Sequence, residues 1–158
     1  INTLGEIYGK KPAAWAYAAN AHGEINSNYG HLVFSKKYHE QFNHALNELL
    51  ANPDSRRAQM IYNRPSIWVE YNEQGKSDFI CTNAQTFYIR DNELHMVSQM
   101  RSNDAVFGYK NDYAWAKWLM NEMVAMYNDL TESEITIGNL HWQVMNLHVY
   151  AKHFHLVK

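Results

Sequence analysis

The sequence predicts one α+β domain, in which a mixed, mostly antiparallel sheet packs with a central buried helix. Three observations support this prediction. An amphipathic helical pattern precedes Pro53, four short segments rich in β-branched and aromatic residues follow it, and residues 113–128 form a second, largely apolar helical pattern. No internal repeat, low-complexity tract or linker divides the chain, so residues 1–158 are treated as a single domain.

The first helix is predicted over residues 35–51, where apolar side chains recur at spacings of three and four. Ser35 is placed to cap its free amides. The helix should end before Pro53, because proline disfavours the helical conformation in the residue that precedes it.

Four strands are predicted next, over residues 58–62, 66–71, 79–89 and 94–100. Turn-forming residues occupy 73–76 and 90–93. We therefore expect consecutive strands to pair as antiparallel hairpins.

The second helix, residues 113–128, follows Asn111 and Asp112, which are good capping residues. It is apolar nearly all round, and a helix of this kind is normally buried by neighbours on several sides. Its Met and Trp side chains are predicted to lie in the core. Residues 135–150 are predicted to form one or two further strands, and strand-like hydrophobicity continues to Lys158.

Composition excludes several classes of function. Fourteen Lys and Arg against 16 Asp and Glu give a net charge of −2, which provides no overall field for gripping nucleic acid or an anionic membrane. The single cysteine excludes an intramolecular disulfide framework and favours a reducing compartment. No apolar run approaches the roughly 18 residues of a membrane span, so a cytoplasmic location is expected.

Three histidines near the end of the chain, His148, His153 and His155, have no spacing typical of a metal site, and no cysteine or carboxylate cluster completes a ligand set. No metal site is predicted. The chain opens on Ile1 and not on Met, so we expect it to be part of a longer protein.

Polar groups in three places have both a structural and a chemical interpretation. Residues 54–57 contain two adjacent arginines, which form either a charged surface turn or a phosphate-binding pair. Cys81 is either a small buried side chain or a nucleophile whose thiol pKa a nearby cation lowers. Arg101 could hold a phosphate, stabilise a thiolate or pair with Asp104.

Taken together, these segments resemble the thymidylate synthase family in order, spacing and local sequence. Cys81 lies 20 residues before Arg101, which is the family's separation between nucleophile and phosphate-binding arginine. The other matching segments are the arginine-pair motif at residues 52–57, the RSxD…G segment at 101–108 and the HxY motif at 148–150. Residues 23–30, 77–83, 100–104 and 111–115 resemble the phage branch of this family that hydroxymethylates deoxycytidylate.

The resemblance implies an enzyme, a hydroxymethyltransferase that uses 5,10-methylenetetrahydrofolate. Cys81 is then the nucleophile that adds to C6 of a pyrimidine nucleotide, Asp112 reads the base, and Tyr29 is a proton-relay element beside the reacting ring. The exposed methylene of the intermediate is captured by water, which gives 5-hydroxymethyl-dCMP. The family pattern also differs here, because Cys81 is flanked by Ile80 and Thr82 where synthases have proline and histidine.

The resemblance also implies the binding residues and a homodimer formed through the sheet face. The residues assigned to the nucleotide are Arg101, Ser102, Asn103, His148 and Tyr150, together with Arg56 and Arg57 reaching across to the neighbouring subunit's phosphate. Those assigned to the folate are Trp15, Asp104 and Gly108. Family members also carry an upstream arginine and glutamate, and a C-terminal segment that closes over the folate. None of these has a counterpart here, so we expect parts of the family domain to lie outside the sequence.

Asp112 distinguishes cytosine from uracil by its hydrogen-bonding chemistry. Uracil presents an N–H at N3 and a carbonyl at C4, which a neutral amide matches with one acceptor and one donor. Cytosine presents an amino group at C4, so a carboxylate accepts from that group and from N3 once N3 is protonated. At this stage the alternative is that Asp112 only caps the second helix.

Three functions follow from these residues. The first is hydroxymethylation of dCMP, and the second is hydroxymethylation or methylation of dUMP or CMP. The third, from a different class, is a truncated, noncatalytic nucleotide-binding dimer. Neither nucleic acid nor a membrane is an expected partner.

Overall fold

The computed structural model describes residues 13–157. Its helices are α1 (Ala13–Ala18), α2 (Tyr29–Phe34), α3 (Gln41–Ala51), α4 (Ile67–Glu70) and α5 (Gly108–Thr131). Its strands are β1 (Gln59–Ile61), β2 (Thr82–Arg90), β3 (Glu93–Met100), β4 (Asn103–Asp104), β5 (Thr136–Val144) and β6 (Leu147–His148). Short 3₁₀ turns cover Lys36–Tyr38, Glu73–Gly75 and Ala151–Leu156. No helix in this described range is long and apolar enough to cross a membrane.

The main sheet has the strand order β1-β2-β3-β5. The pairs β1–β2 and β2–β3 are antiparallel, whereas β3–β5 is parallel and is connected through α5. Asp91 and Asn92 both have positive φ in the β2–β3 turn, the conformation that a tight hairpin requires. The predicted mixed, mostly antiparallel α+β architecture is confirmed. The parallel β3–β5 pair is what makes the sheet mixed, and the consecutive strands β2 and β3 form the expected antiparallel hairpin.

The core lies between one face of the sheet and the helices α3 and α5. Fully buried side chains from all three layers meet there, among them Phe42, Leu49, Phe87, Leu119 and Met123. Beyond β3, the short strand β4 pairs in parallel with β6, which brings the chain after β5 back beside the start of α5. This arrangement places the end of β3, the start of β2 and the first turns of α5 at one edge of the core.

Two predicted elements differ from the structure. The helix predicted over residues 35–51 begins at Gln41, because His39 and Glu40 adopt positive φ and separate it from a 3₁₀ turn. The strand predicted over residues 66–71 is the short helix α4. Only Ile67 of that helix is buried, whereas Trp68 is 73% exposed. A half-buried strand would bury every second side chain, whereas one buried side chain in four residues matches the period of a helix.

The helix α5 is longer and less enclosed than predicted. It begins at Gly108, and its buried side is formed by Ala116, Leu119, Met120, Met123 and Tyr127. Trp118 is 43% exposed, so the prediction that all its Trp and Met side chains are core residues is wrong. After Tyr150, where the sequence has strand-like hydrophobicity, the chain forms the 3₁₀ turn Ala151–Leu156.

Candidate active site

Cys81 stands immediately before β2, half-buried, and Arg101 holds the segment around it. The Arg101 side chain donates hydrogen bonds from Nε to the carbonyl of Ile80 at 2.9 Å and from Nη2 to that of Phe79 at 2.6 Å. The same Nη2 lies 3.7 Å from Cys81 Sγ. The backbone N–H of Arg101 donates to the carbonyl of Cys81 at 2.9 Å, so the two residues are joined through both backbone and side chain.

Burial and nearby charges act in opposite directions on the pKa of the Cys81 thiol. Burial raises its pKa, Arg101 acts to lower it, and Asp112 acts to raise it. The net pKa is above the ordinary value, so the thiol is protonated in the resting protein. The electrostatic action of Asp112 also shows that this carboxylate, on α5, lies near the sulfur.

Asp112 lies inside α5 and not at its cap, so the helix-cap alternative is wrong. The Nδ2 group of Asn103 donates a hydrogen bond to Asp112 Oδ2 at 2.7 Å. Burial raises the pKa of Asp112 to about 6, against the lowering effect of this hydrogen bond. The side chain is therefore a partly buried carboxyl group whose charge depends on pH near neutrality.

The N-cap residue of α5 is Phe107, and the free amides at this end of the helix are served by Asp104. Its carboxylate accepts hydrogen bonds from the backbone N–H groups of Val106, Phe107 and Gly108 at 3.2–3.3 Å. Burial alone would raise the pKa of Asp104, but these three donors outweigh it and hold the pKa below its ordinary value. A Cβ on Gly108 would stand 3.2 Å from Asp104 Cβ, so glycine permits the close approach of helix and carboxylate.

Tyr29, the first residue of α2, completes the group. Its hydroxyl accepts a hydrogen bond from Thr82 Oγ1 at 2.9 Å, and its ring meets that of Tyr62 edge-on at 5.0 Å. Burial raises the pKa of Tyr29 well above its ordinary value, and Asp112 and Cys81 add to the effect. The three residues predicted to be catalytic therefore occupy one neighbourhood.

The predicted sugar and phosphate residues border the same neighbourhood. Ser102 Oγ lies 3.5 Å from His148 Nδ1, and the His148 carbonyl accepts from the backbone N–H of Ala105 at 2.9 Å. The rings of His148 and Tyr150 meet edge-on at 5.1 Å. The β4–β6 pairing is what brings these distant parts of the sequence together.

Arg56, Arg57 and Trp15 stand apart from this group. Arg57 is 83% exposed and pairs with Glu48 of α3 at 2.9 Å, whereas Arg56 is exposed and has no ion pair within residues 13–157. Trp15 is half-buried on α1. No hydrogen bond or ring contact in the described part of the chain joins any of the three to Cys81 or Asp112.

A buried hydrogen-bond chain behind the group escaped sequence analysis. Trp115 Nε1 donates to the Tyr62 hydroxyl at 3.0 Å, that hydroxyl donates to Gln85 Oε1 at 2.5 Å, and Gln85 Nε2 donates to Ser98 Oγ at 3.3 Å. The chain connects α5, one turn after Asp112, with β2 and β3. One signal was available: Gln85 is a polar residue at an inward position of a strand, and such a residue requires a buried partner.

A cleft of about 820 Å³ opens beside Arg101. Its lining residues are Asn63, Arg64, Pro65, Ile67, Trp68, Tyr71, Phe79, Asn83 and Arg101. The Arg101 guanidinium, which also lies 4.7 Å from the Phe79 ring centroid, therefore stands between this cleft and the Cys81 sulfur.

Comparison with known proteins agrees with the geometry. The family model described as thymidylate synthase matches residues 1–158. The chain is 47% identical over 154 residues to proteins of Enterobacteria phage T4 and of phage T2 that are named deoxycytidylate 5-hydroxymethyltransferase. It is 24% identical over 135 residues to a protein of Fusobacterium nucleatum subsp. nucleatum named thymidylate synthase.

These matches cover different shares of the proteins compared. The phage alignments include 96% of this chain and 62% of each relative, and the Fusobacterium alignment includes 84% of this chain and 45% of the relative. The chain therefore spans less than two thirds of the length of the curated relatives it matches.

Proposed function

The chain belongs to the thymidylate synthase family, and we propose that its protein transfers a one-carbon unit from 5,10-methylenetetrahydrofolate to C5 of dCMP, with hydration, to give 5-hydroxymethyl-dCMP. The observation that carries the proposal is the placement of a single cysteine, Cys81, within electrostatic reach of Asp112 and Tyr29. The names of the two phage relatives support the same substrate.

Asp112 reads the base in this proposal. The cytosine amino group donates to one carboxylate oxygen, and N3 donates to the carboxyl group once it carries a proton. A partly buried carboxyl with a pKa of about 6 exchanges that proton readily near neutral pH. Because protonation at N3 withdraws electrons from C6, the contact that recognises cytosine also makes C6 a better electrophile.

Cys81 supplies the nucleophile. Its thiol is protonated at rest, so the thiol proton passes to solvent as Sγ forms a bond to C6, and the nearby guanidinium of Arg101 stabilises the developing thiolate. Addition at C6 makes C5 nucleophilic. When bound, 5,10-methylenetetrahydrofolate supplies the one-carbon unit that C5 takes up. Loss of the C5 proton and departure of tetrahydrofolate leave an exocyclic methylene at C5. Water adds its hydroxyl group to that methylene and releases a proton to solvent, and Sγ is expelled as the C5–C6 double bond re-forms.

The residues assigned to the folate fit a ligand with N–H donors. Asp104 is ionised, because three backbone donors lower its pKa, and a carboxylate has acceptor sites for more than three hydrogen bonds. Asp104 would orient the pterin ring, Gly108 allows close approach at the start of α5, and Trp15 would pack against the ligand. Tyr29, whose raised pKa keeps it protonated, would act as the hydroxyl of a proton relay.

The phosphate is assigned to Arg101 and Ser102, with Asn103 beside them and the sugar hydroxyl on His148 and Tyr150. Arg101 faces the open cleft with a guanidinium that is not fully used by the carbonyls it holds. Arg56 and Arg57 precede β1 and are exposed, and no hydrogen bond or ion pair within residues 13–157 joins them to Cys81, so they would serve the partner's site in a homodimer.

The sheet offers the surface for that dimer. Its outer face, opposite α3 and α5, carries apolar and aromatic side chains that include Ile61, Tyr88 and Val97. Tyr88 stacks on His95 at 4.9 Å, and its hydroxyl lies 3.0 Å from His141 Nε2. An ordered aromatic face of this kind suits association with a second copy.

Two other functions compete with this proposal. The first is action on dUMP or CMP: Asp112 argues against uracil, but no described contact distinguishes a ribose from a deoxyribose. The second is a noncatalytic nucleotide-binding dimer. Cys81 argues against it, because a binding protein needs no thiol beside a base-reading carboxyl group.

The decisive experiment is release of tritium from C5-labelled dCMP, dUMP and CMP by the full-length protein in parallel. We expect release from dCMP that depends on methylenetetrahydrofolate and is lost in Cys81→Ala. Faster release from dUMP or CMP would establish the alternative substrate. Incubation with 5-fluoro-dCMP and methylenetetrahydrofolate should increase the mass of the wild-type protein through a covalent adduct. Absence of this adduct would support the noncatalytic nucleotide-binding dimer.

A further inference from the structure

We propose that Asn103 is a specificity-determining positioning residue, which favours cytosine over uracil by donating its side-chain N–H to Asp112 Oδ2. The inference rests on the proposed function, because it concerns how Asp112 reads the base. It differs from a direct contact with substrate, since Asn103 acts through Asp112.

The Asn103 side chain makes one hydrogen bond within the described residues, the one to Asp112. The residue is 3% exposed, and the distance from Nδ2 to Asp112 Oδ2, 2.7 Å, is typical of a charge-assisted hydrogen bond. Its backbone N–H is held by the carbonyl of Asn146 at 3.0 Å, which fixes the residue in β4. Gly108 lies alongside, and a Cβ there would stand 3.6 Å from the Asn103 amide nitrogen.

The carbonyl oxygen of the Asn103 amide indicates that its nitrogen is the functional atom. Asn103 Oδ1 is buried and has no hydrogen-bond partner within residues 13–157. A buried acceptor without a partner is unfavourable, so the side chain is not held in place for the sake of its oxygen. The Nδ2–Asp112 hydrogen bond is the interaction that the arrangement preserves.

The position of the proton between Asp112 and the base connects this hydrogen bond with the preference for cytosine over uracil. A bound pyrimidine and Asp112 share one proton in either complex. With cytosine the proton can move to N3, a basic ring nitrogen, and leave the carboxylate ionised. With uracil the proton must stay on the carboxyl oxygen that faces C4=O, because a carbonyl oxygen is a far weaker base. A fixed N–H donor stabilises the ionised carboxylate more than the neutral acid, so Asn103 stabilises the cytosine complex more than the uracil complex.

No other described group competes for this role. The titratable groups that interact electrostatically with Asp112 come from three neighbouring segments, and they are Tyr29, Tyr62 and Cys81. Each is neutral in its ordinary protonated form, and the pKa of each is raised. Within the described range no cation lies within ion-pair distance of Asp112.

The test compares Asn103→Leu with wild type in the full-length protein, using tritium release from dCMP and dUMP to obtain kcat/KM for each. We expect the preference for dCMP over dUMP to fall about 10- to 100-fold, as loss of one charge-assisted hydrogen bond predicts. The pH dependence of dUMP binding supplies a second measurement. Its midpoint should move up by about one unit, because the lost donor favoured the ionised carboxyl group.

Two further variants control for structural damage. Asn128→Leu removes an amide at the other end of α5 that bonds both backbone groups of Ile135, and it should affect the two nucleotides equally. In an Asp112→Asn background, Asn103→Leu should change the nucleotide preference less than about twofold, since no charge remains to be stabilised. Should Asn103→Leu not fold, Asn103→Asp replaces the donor at equal volume and should change selectivity in the same direction.

The outcomes separate the two proposals. Wild-type protein that prefers dUMP would overturn the proposed function itself. Wild-type protein that prefers dCMP, together with an Asn103→Leu variant of unchanged selectivity and unchanged pH midpoint, would overturn the role of Asn103 and leave the proposed function standing.

Discussion

Arg101 and Cys81 are joined at three points: a backbone hydrogen bond of 2.9 Å, side-chain hydrogen bonds to the two carbonyls before the cysteine, and a 3.7 Å approach of Nη2 to Sγ. The arginine thus orders the segment that presents the sulfur while it places a positive charge beside it. Since burial raises the thiol pKa, the guanidinium is the group that opposes this effect.

The first prediction concerns thiol reactivity. Alkylation of Cys81 by iodoacetamide should rise with pH through a midpoint above the ordinary cysteine range, because burial disfavours the thiolate. Arg101→Gln should raise that midpoint further and slow alkylation at pH 8. Arg90→Gln is the matched control, as Arg90 pairs with Asp54 on the surface. A midpoint at or below that of free cysteine would contradict the prediction.

The second prediction concerns base selection. Asp112→Asn should move the preference from dCMP toward dUMP, because an amide supplies the donor and acceptor that uracil requires. The change should be about 10- to 100-fold in relative kcat/KM, the effect of one mismatched buried hydrogen bond. Parallel tritium-release assays on the two nucleotides measure it, and unchanged selectivity would refute the base-reading role.

The same substitution should stabilise the fold. Asp112 has a pKa of about 6 in the folded protein and an ordinary value near 4 when unfolded, so above pH 6 the ionised carboxyl group destabilises the folded state. Asp112→Asn should therefore raise the free energy of unfolding at pH 7.5 by about 2–3 kcal/mol. The gain should vanish as pH falls below about 4, where both states are protonated. Urea unfolding at the two pH values checks this, and an equal gain at both would show another cause.

A fourth prediction tests the buried hydrogen-bond chain. Tyr62→Phe leaves Trp115 Nε1 and Gln85 Oε1 without their partner, at a cost of about 2–4 kcal/mol in the free energy of unfolding. Tyr127→Phe is the control, since Tyr127 is also buried but its hydroxyl makes no hydrogen bond within residues 13–157. Equal effects of the two substitutions in urea unfolding would argue against the chain.

The fifth prediction tests the shared site of the proposed homodimer. Cys81→Ala and the double variant Arg56→Ala, Arg57→Ala should each be inactive alone. Mixed dimers should recover activity, because the arginines of the first variant complete the site that retains Cys81 in the second. Random mixing of equal amounts should give about one quarter of wild-type activity, since half of the dimers are mixed and each has one intact site. No recovery after co-expression would place the arginines in their own subunit's site.

Local sequence was sufficient for the features that depend on neighbours along the chain. The β2–β3 hairpin and the end of α3 before Pro53 follow from periodicity and turn chemistry, and the spacing of Cys81 and Arg101 pointed to the family that the comparison confirmed. The strand predicted over 66–71 was wrong because aromatic and β-branched residues there face solvent, a circumstance that composition does not reveal.

Only the tertiary structure determined which residues of the site form hydrogen bonds with one another. Local sequence allowed Asp112 to be a helix cap, yet the carboxylate that accepts from the first amide of α5 is Asp104. Asp112 instead accepts a hydrogen bond from Asn103 on a separate strand. The Tyr62 hydroxyl, just after β1, donates a hydrogen bond to Gln85 of β2. Hydrogen bonds of this kind form between groups that folding brings together, and no periodicity in the chain records them. The sequence therefore determined which chemical groups the protein has, and the packing of α5 against the sheet determined which of them form hydrogen bonds with one another.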